Sequence, residues 1–278
     1  MISGRTTPMN RMHQGTGSDF VRAKKSLGQN FCCDQRIPDE IVRRLAATSQ
    51  HHIWEIGPGQ GALTGKLART GARMHLFEID ERMRPVLGQK FASIEITWGD
   101  FLELSDEKLP PAGEHLLVCG NLPYYCGTPI IRRFLENGPQ AERIVFLLQE
   151  EVAKKAAAAC NTSDYSYLSV HTAFFAQASI GSTFGPGSFV PPPKINSTIL
   201  QLEPLLLTPA DRERRHQALK FISLLFQQRR KMALPLLKKR FGETDWQERF
   251  DQLGIDHKAR PENISPNNFL ALFAPAKT

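Results

Sequence analysis

The sequence predicts an α/β protein, a parallel sheet covered by helices, followed by a small all-helical domain. Three observations carry this. Residues 35–150 alternate short apolar strand signals with amphipathic helical ones. A glycine cluster, Gly57-Pro58-Gly59-Gln60-Gly61, directly follows the first strand signal. Beyond a proline-flanked linker, Glu203–Pro209, every apolar pattern is helical.

In chain order, Ile37–Ala47 has apolar residues at helical spacing (Ile37, Ile41, Val42, Leu45), and His52–Ile56 reads as a strand stopped by the glycines. Ala62–Arg69 follows as a helix, then Arg73–Ile79 as a strand, Glu81–Phe91 as a helix and Ile94–Trp98 as a short strand. Leu116–Gly120 is a further strand and runs straight into Asn121-Leu122-Pro123-Tyr124. Pro129–Leu135 is helical, and Ile144–Leu148 is an unbroken apolar run typical of a strand buried on both faces. Glu150–Ala159 and Leu168–Gln177 read as helices, and alternating Thr198–Leu202 is expected to close the sheet. The last part predicts helices over Ala210–Phe226, Arg230–Phe241, Trp246–Leu253 and Asn267–Phe273, with Gly242 and Gly254 as stops. Pro235 should kink the second of these or restrict it to a late start. The resulting division is a polar tail over 1–19, expected to be disordered, an α/β domain over 20–204 and a helical domain over 205–278.

The 278 residues are 41% hydrophobic and 23% charged, which fits a globular chain with a real core and excludes a disordered or low-complexity one. No apolar run approaches the roughly 20 residues of a membrane span, and Met1–Asp19 has no apolar segment of signal-peptide type. Five cysteines without a CxxC pair argue against a disulfide scaffold or a zinc site and for a reducing cytoplasm. The net charge of +7 is unevenly spread: +4 over residues 1–31, −3 over 32–204 and +6 over 205–278. Such a distribution suits a polyanion gripped at the periphery, although charge alone does not separate this from plain solubility.

Glycine-rich loops between strand and helix serve nucleotide and S-adenosylmethionine cofactors alike. Here an acid, Glu55, precedes the loop and favours a cofactor with positive charge and amine donors over a pyrophosphate. Glu78 ends the second strand, where a carboxylate can accept from both ribose hydroxyls, and Asp100 follows the third, where it can hold an adenine amino group. Each acid alone is as well explained as a solvated strand end. Three of them at the carboxyl ends of successive strands coincide with the ligand crevice of open α/β sheets. In Asn121-Leu122-Pro123-Tyr124 a side-chain amide oxygen and a neighbouring carbonyl can together accept both hydrogens of an exocyclic amine. The proline stiffens the loop, and the tyrosine supplies a stacking face.

Together these motifs resemble the S-adenosylmethionine-dependent ribosomal RNA adenine dimethyltransferases, best the KsgA type, to which the Erm resistance enzymes are related. The resemblance runs from Lys24 to near the C-terminus. It includes the run Lys25–Phe31, Tyr165-x-x-Leu168-Ser169-Val170, the run Phe189–Ser197, the run Phe226–Lys231 and Arg260-Pro261-Glu262. It implies a Rossmann-like class I methyltransferase fold with S-adenosyl-L-methionine bound by Gln29, Asn30, Cys32, Gly57, Gly59, Gly61, Glu78, Asp100 and Asn121. It further implies that Asn121 and the Leu122 carbonyl position the target amine on a loop stiffened by Pro123, with Tyr124 and Phe189 sandwiching the flipped adenine. Arg22, Lys24, Lys25, Arg229, Arg230, Lys231, Lys238, Lys239 and Arg240 are the expected RNA contacts. The expected substrate is ribosomal RNA in the immature small ribosomal subunit, dimethylated on two adjacent adenosines by a monomeric enzyme without metal.

The chain departs from the family's pattern at Cys32, at Tyr125-Cys126-Gly127 where the family commonly has Asn-Ile-Ser, at Glu150, at Ser166 and at Pro235. Other readings are an Erm-like large-subunit RNA methyltransferase, a small-molecule or DNA amine methyltransferase, and an RNA-binding assembly factor that uses catalysis little.

Overall fold

Residues 21–242 and 245–273 are described by the computed structural model, so the expected tail over 1–19 lies outside the described residues. The α/β part comprises β1 (Phe31–Cys32), α1 (Arg36–Leu45), β2 (His52–Ile56), α2 (Thr64–Leu67), β3 (Arg73–Glu78), α3 (Arg84–Lys90), β4 (Glu95–Trp98), β5 (Leu116–Asn121) and α4 (Gly127–Glu136). It continues with β6 (Arg143–Gln149), α5 (Glu150–Ala157), α6 (Tyr167–Phe175), β7 (Ala176–Phe184), β8 (Phe189–Val190) and β9 (Ser197–Pro204). Helices α7 (Pro209–Phe226), α8 (Ala233–Phe241), α9 (Trp246–Gln252) and α10 (Pro266–Leu272) follow.

Seven strands form the main sheet in the order β4-β3-β2-β5-β6-β9-β7, with β1 and β8 as a separate antiparallel ribbon. The strands β4, β3, β2, β5 and β6 are parallel, and β9 and β7 are antiparallel. Counted from β2 the parallel strands run 3-2-1-4-5, the doubly wound arrangement whose direction of winding reverses between β2 and β5. The period of two along each strand divides the core. Leu116, Val118, Ile144, Phe146 and Leu148 face the α4–α6 layer, while Leu117, Cys119, Val145 and Leu147 face α1 and α2. Fully burying such side chains stabilises by about 1.5–3 kcal/mol each. Ile222, Leu225, Leu237, Phe250 and Phe269 of the helical region join the first of these clusters, so α7–α10 and the sheet share one continuous core.

Three expectations need correction. Ser197–Pro204 is longer than expected and does not close the sheet; β7 lies outside it and forms the edge. The helix expected over Leu168–Gln177 ends at Phe175, because the chain turns extended at Ala176 (φ −152°, ψ 157°) and enters β7. Strand β7 reads poorly in the sequence because it is an edge with few buried positions and a register shift between Ile180 and Thr183. There the amide of Ser182 donates to Glu40 of α1 at 3.1 Å. Finally, α8 begins at Ala233, which leaves Arg230 and Lys231 in the preceding turn and puts Pro235 in the first helical turn, where a missing N–H costs nothing.

At the winding reversal β2 and β5 lie so close that a side-chain carbon on Gly120 would meet the Ile56 carbonyl at 2.4 Å. This closeness brings the two loops that follow, Gly57–Gly61 and Asn121–Tyr124, to one crevice.

Candidate active site

A cavity of about 470 Å³ occupies that crevice at the carboxyl ends of β2, β3 and β5. The glycine loop forms its floor. Gly57, Gly59 and Gly61 all have positive φ. At Gly61 a side-chain carbon would also sit 2.3 Å from the Phe91 ring, so no other residue fits both the turn and the packing of the following helix. Glu78, buried at the end of β3, binds the loop in place: its Oε2 accepts from Gly59 N at 3.0 Å and its Oε1 from Asp80 N at 2.8 Å. A carboxylate has about four acceptor positions, so capacity remains for a ligand's hydroxyls. Asp100 uses Oδ1 to accept from Leu102 N at 2.9 Å and lines the cavity.

Glu55 is the most unusual group here. It is 1% exposed, and its Oε2 makes no hydrogen bond. Burial pushes its carboxyl up to about 8, and the charge of nearby Glu78 acts in the same direction. The orphaned Oε2 of this buried acid, at a cavity wall, is open to a cationic or N–H donor from a ligand. The ammonium and sulfonium charges of S-adenosylmethionine meet that description, so this donor set fits the cofactor.

Residues 21–33 form a strap over the cavity. Gln60 Nε2 donates to the Val21 carbonyl at 3.1 Å. Gln29, expected among the cofactor ligands, lines the cavity and also anchors the strap: its Nε2 donates to Asp80 Oδ2 at 2.8 Å and its Oε1 accepts from Lys24 N at 2.8 Å. Asp80 is itself paired with Arg82 at 2.6 Å, which pulls its carboxyl down to about 2. Asn30 belongs to the strap, and its carbonyl accepts from Asn121 Nδ2 at 3.1 Å. The strap ends in β1, where Cys32 pairs opposite Phe189 of β8.

Asn121, Leu122, Pro123 and Tyr124 all border the cavity at the end of β5. Leu122 N donates to the Leu147 carbonyl at 3.1 Å, which fixes the loop against β6. The Tyr124 hydroxyl meets Ser197 Oγ at 3.0 Å, and partial burial raises its pKa. Phe189 is 3% exposed, packed among the α1-side core, and lines the cavity. Cys32 and Cys126 also border the space, but burial pushes their thiols up to about 11 and about 12, so neither is a nucleophile at neutral pH. No histidine among the described residues lines the cavity.

The expected RNA contacts separate into two groups. Arg22, Lys24 and Lys25 are exposed on the strap beside the cavity mouth. Arg230, Lys231, Lys239 and Arg240 are exposed on the helical region, and Lys238 is half-buried with Nζ 3.4 Å from Gln247. Arg229 differs: its Nε lies 2.5 Å from Glu262 Oε2 and its Nη2 donates to the Ser163 carbonyl at 2.9 Å. It joins the helical region to the segment before α6. Tyr165, fully buried, donates to the Ile264 carbonyl at 2.9 Å at the same seam. The motifs around Tyr165, Arg229 and Glu262 therefore meet each other, away from the cavity.

Sequence reasoning left Gln60, Asp80, Arg82 and Ser197 without roles. Ser197 and Gln60 lie inside quoted motifs; Asp80 and Arg82 are recognisable solely by the contacts they make.

Comparison with known proteins agrees with this geometry. The family model for ribosomal RNA adenine dimethylase matches residues 20–277. Ribosomal RNA small subunit methyltransferase A of Pseudomonas fluorescens is 34% identical over 254 residues, covering 90% of this chain and 93% of that protein. Its counterpart in Shewanella oneidensis is 35% identical over 256 residues, covering 90% and 93%. Among solved structures, a dimethyladenosine transferase from Plasmodium falciparum superposes with a TM-score of 0.73 at 21% identity, covering 87% of this chain and 95% of that one. The 23S rRNA methyltransferase ErmE gives 0.68 at 26% identity, covering 88% and 98%. This chain thus has a Rossmann-like methyltransferase fold with a helical C-terminal region, and it belongs to the ribosomal RNA adenine dimethylase family.

Proposed function

We propose that the protein transfers methyl groups from S-adenosylmethionine to the exocyclic amine of two adjacent adenosines near the 3′ end of small-subunit ribosomal RNA, acting on immature small subunits in the cytoplasm as a monomer. The supporting observation is the orientation of Asn121. Its Nδ2 is committed to the Asn30 carbonyl, and its Oδ1 accepts from no described residue. Oδ1 and the Leu122 carbonyl then take the two amine hydrogens, and the nitrogen lone pair turns toward the cofactor pocket. Tyr124, held by Ser197, and Phe189 offer faces for a base flipped out of its stack, which costs a few kcal/mol and least in a hairpin loop.

When bound, S-adenosylmethionine supplies an electrophilic sulfonium methyl. Glu55 and the amides of the glycine loop hold its amino-acid end, Glu78 its ribose and Asp100 its adenine amine. The alkylated amine sheds its extra proton readily, so a cavity with no histidine among the described residues needs no strong base, and rate comes from proximity and alignment at Asn121. Residues 20–204 carry the chemistry, and the exposed cations of residues 205–278 with those of the strap hold RNA phosphates.

Relatives at 34–35% identity are named for the small subunit, which favours that substrate over the large-subunit RNA of an Erm-like enzyme. Incubation with labelled cofactor and either immature small subunits or large subunits tests the assignment. Label in small-subunit adenines supports it; label confined to the large subunit, or to none, overturns it.

A further inference from the structure

Tyr125 is one of the most exposed aromatic side chains among the described residues, at 55%. The residue follows Tyr124 and lines the mouth of the cavity. Its ring rests on the strap at Gly28, which takes a left-handed turn (φ 60°); a side-chain carbon there would already touch ring carbons at 3.4 and 3.6 Å, with Pro123 at 3.6 Å. One side of the ring is thereby seated on backbone and proline, and the rest faces solvent. Its hydroxyl bonds to no other described residue, so polar contacts inside the protein do not account for the exposure. Lys24 and Lys25, exposed four and three positions before Gly28, pair with no carboxylate among the described residues.

An exposed aromatic seated on a rigid support, with unpaired cations alongside, is the arrangement that binds an unpaired base and its phosphates. We propose that Tyr125 is a stacking platform for the nucleotide flanking the target adenosine, and so sets RNA register for this enzyme. The proposal rests on the RNA-methylation reading above. Tyr124 grips the base in the pocket; Tyr125 holds its neighbour outside, and the covalent step is unchanged. Because Tyr125, Asp100 and Glu78 line the same cavity, a competing role is that of a cover over the cofactor.

The test compares wild type, Tyr125→Ala, Tyr125→Asn and Tyr125→Phe on immature small subunits carrying 2-aminopurine beside the target adenosine. Affinity for S-adenosylhomocysteine is measured in parallel. On the usual scale of base–aromatic stacking, Ala and Asn should raise KM for RNA about tenfold, with kcat within about twofold. They should also abolish the 2-aminopurine fluorescence change and leave S-adenosylhomocysteine affinity intact, while Phe restores wild-type values. Unchanged KM and fluorescence in Tyr125→Ala, with an active wild type, overturn the proposal alone. Weakened S-adenosylhomocysteine binding with unchanged RNA KM overturns it in favour of the cofactor cover. A wild type inert toward RNA overturns both this proposal and the reading beneath it.

Discussion

The side-chain amide nitrogen of Asn121 donates to the backbone carbonyl of Asn30 across 3.1 Å, joining the end of β5 to the strap that covers the cavity. On the proposed reading, this bond turns the amide oxygen toward the substrate and couples the amine-holding loop to the strap. Asn121→Ala removes both functions at little cost to the core, since the residue is only half-buried. The expected outcome is a fall of at least about 100-fold in kcat, as for loss of an orienting group, with RNA affinity within about twofold. Single-turnover methyl transfer and filter binding measure the two separately.

Glu55 should make the cofactor-free protein pH-sensitive. With its pKa raised from 4.5 to about 8, the folded state keeps a proton that the unfolded chain releases. Stability therefore falls as pH rises between about 4.5 and 8, with a slope of up to about 1.4 kcal/mol per pH unit, and levels off above. Glu55→Gln should flatten that slope and melt higher than wild type at pH 8.5, while binding the cofactor about tenfold more weakly through loss of a charge-assisted contact. Thermal melts across pH and calorimetric titration with S-adenosylhomocysteine check both halves.

At the seam, Arg229→Ala should lower stability by about 1 kcal/mol, the scale of a partly exposed ion pair with an added hydrogen bond. Arg230→Ala and Lys231→Ala, exposed and in a turn, should leave melting unchanged. They should instead weaken RNA binding and reduce its dependence on salt by roughly one counterion each. If Arg229→Ala behaves like its two neighbours, the seam assignment is wrong.

Gly61→Ala meets two obstacles, a positive φ of 83° and the Phe91 ring at 2.3 Å. A loss of about 2 kcal/mol or more is expected from overpacking and backbone strain together. Adding Phe91→Ala relieves only the clash, so the double variant should recover part of the melting temperature and not all of it.

What was legible in the sequence is what repeats or punctuates. Apolar runs such as Ile144–Leu148 mark strands buried on both faces, and Gly57–Gly61 and Asn121–Tyr124 mark the crevice because backbone turns and amine recognition restrict residue choice there. Strand β7 was not legible, since an edge strand with a bulge has little apolar alternation to show. Nor was the use of Gln29 and Arg229, whose partners Asp80 and Glu262 lie 51 and 33 residues away. A cation that grips RNA and one that ties two parts of a protein together look alike until their neighbours are seen.

The central claim is that this cavity dimethylates adenosine with Asn121 holding the amine. The most direct measurement is mass spectrometry of nucleosides from immature small subunits incubated with S-adenosylmethionine and either wild type or Asn121→Ala. N6,N6-dimethyladenosine should appear with the wild type and be absent or reduced at least about 100-fold with the variant; no methylated adenosine with the wild type, or equal amounts with both, would contradict the account.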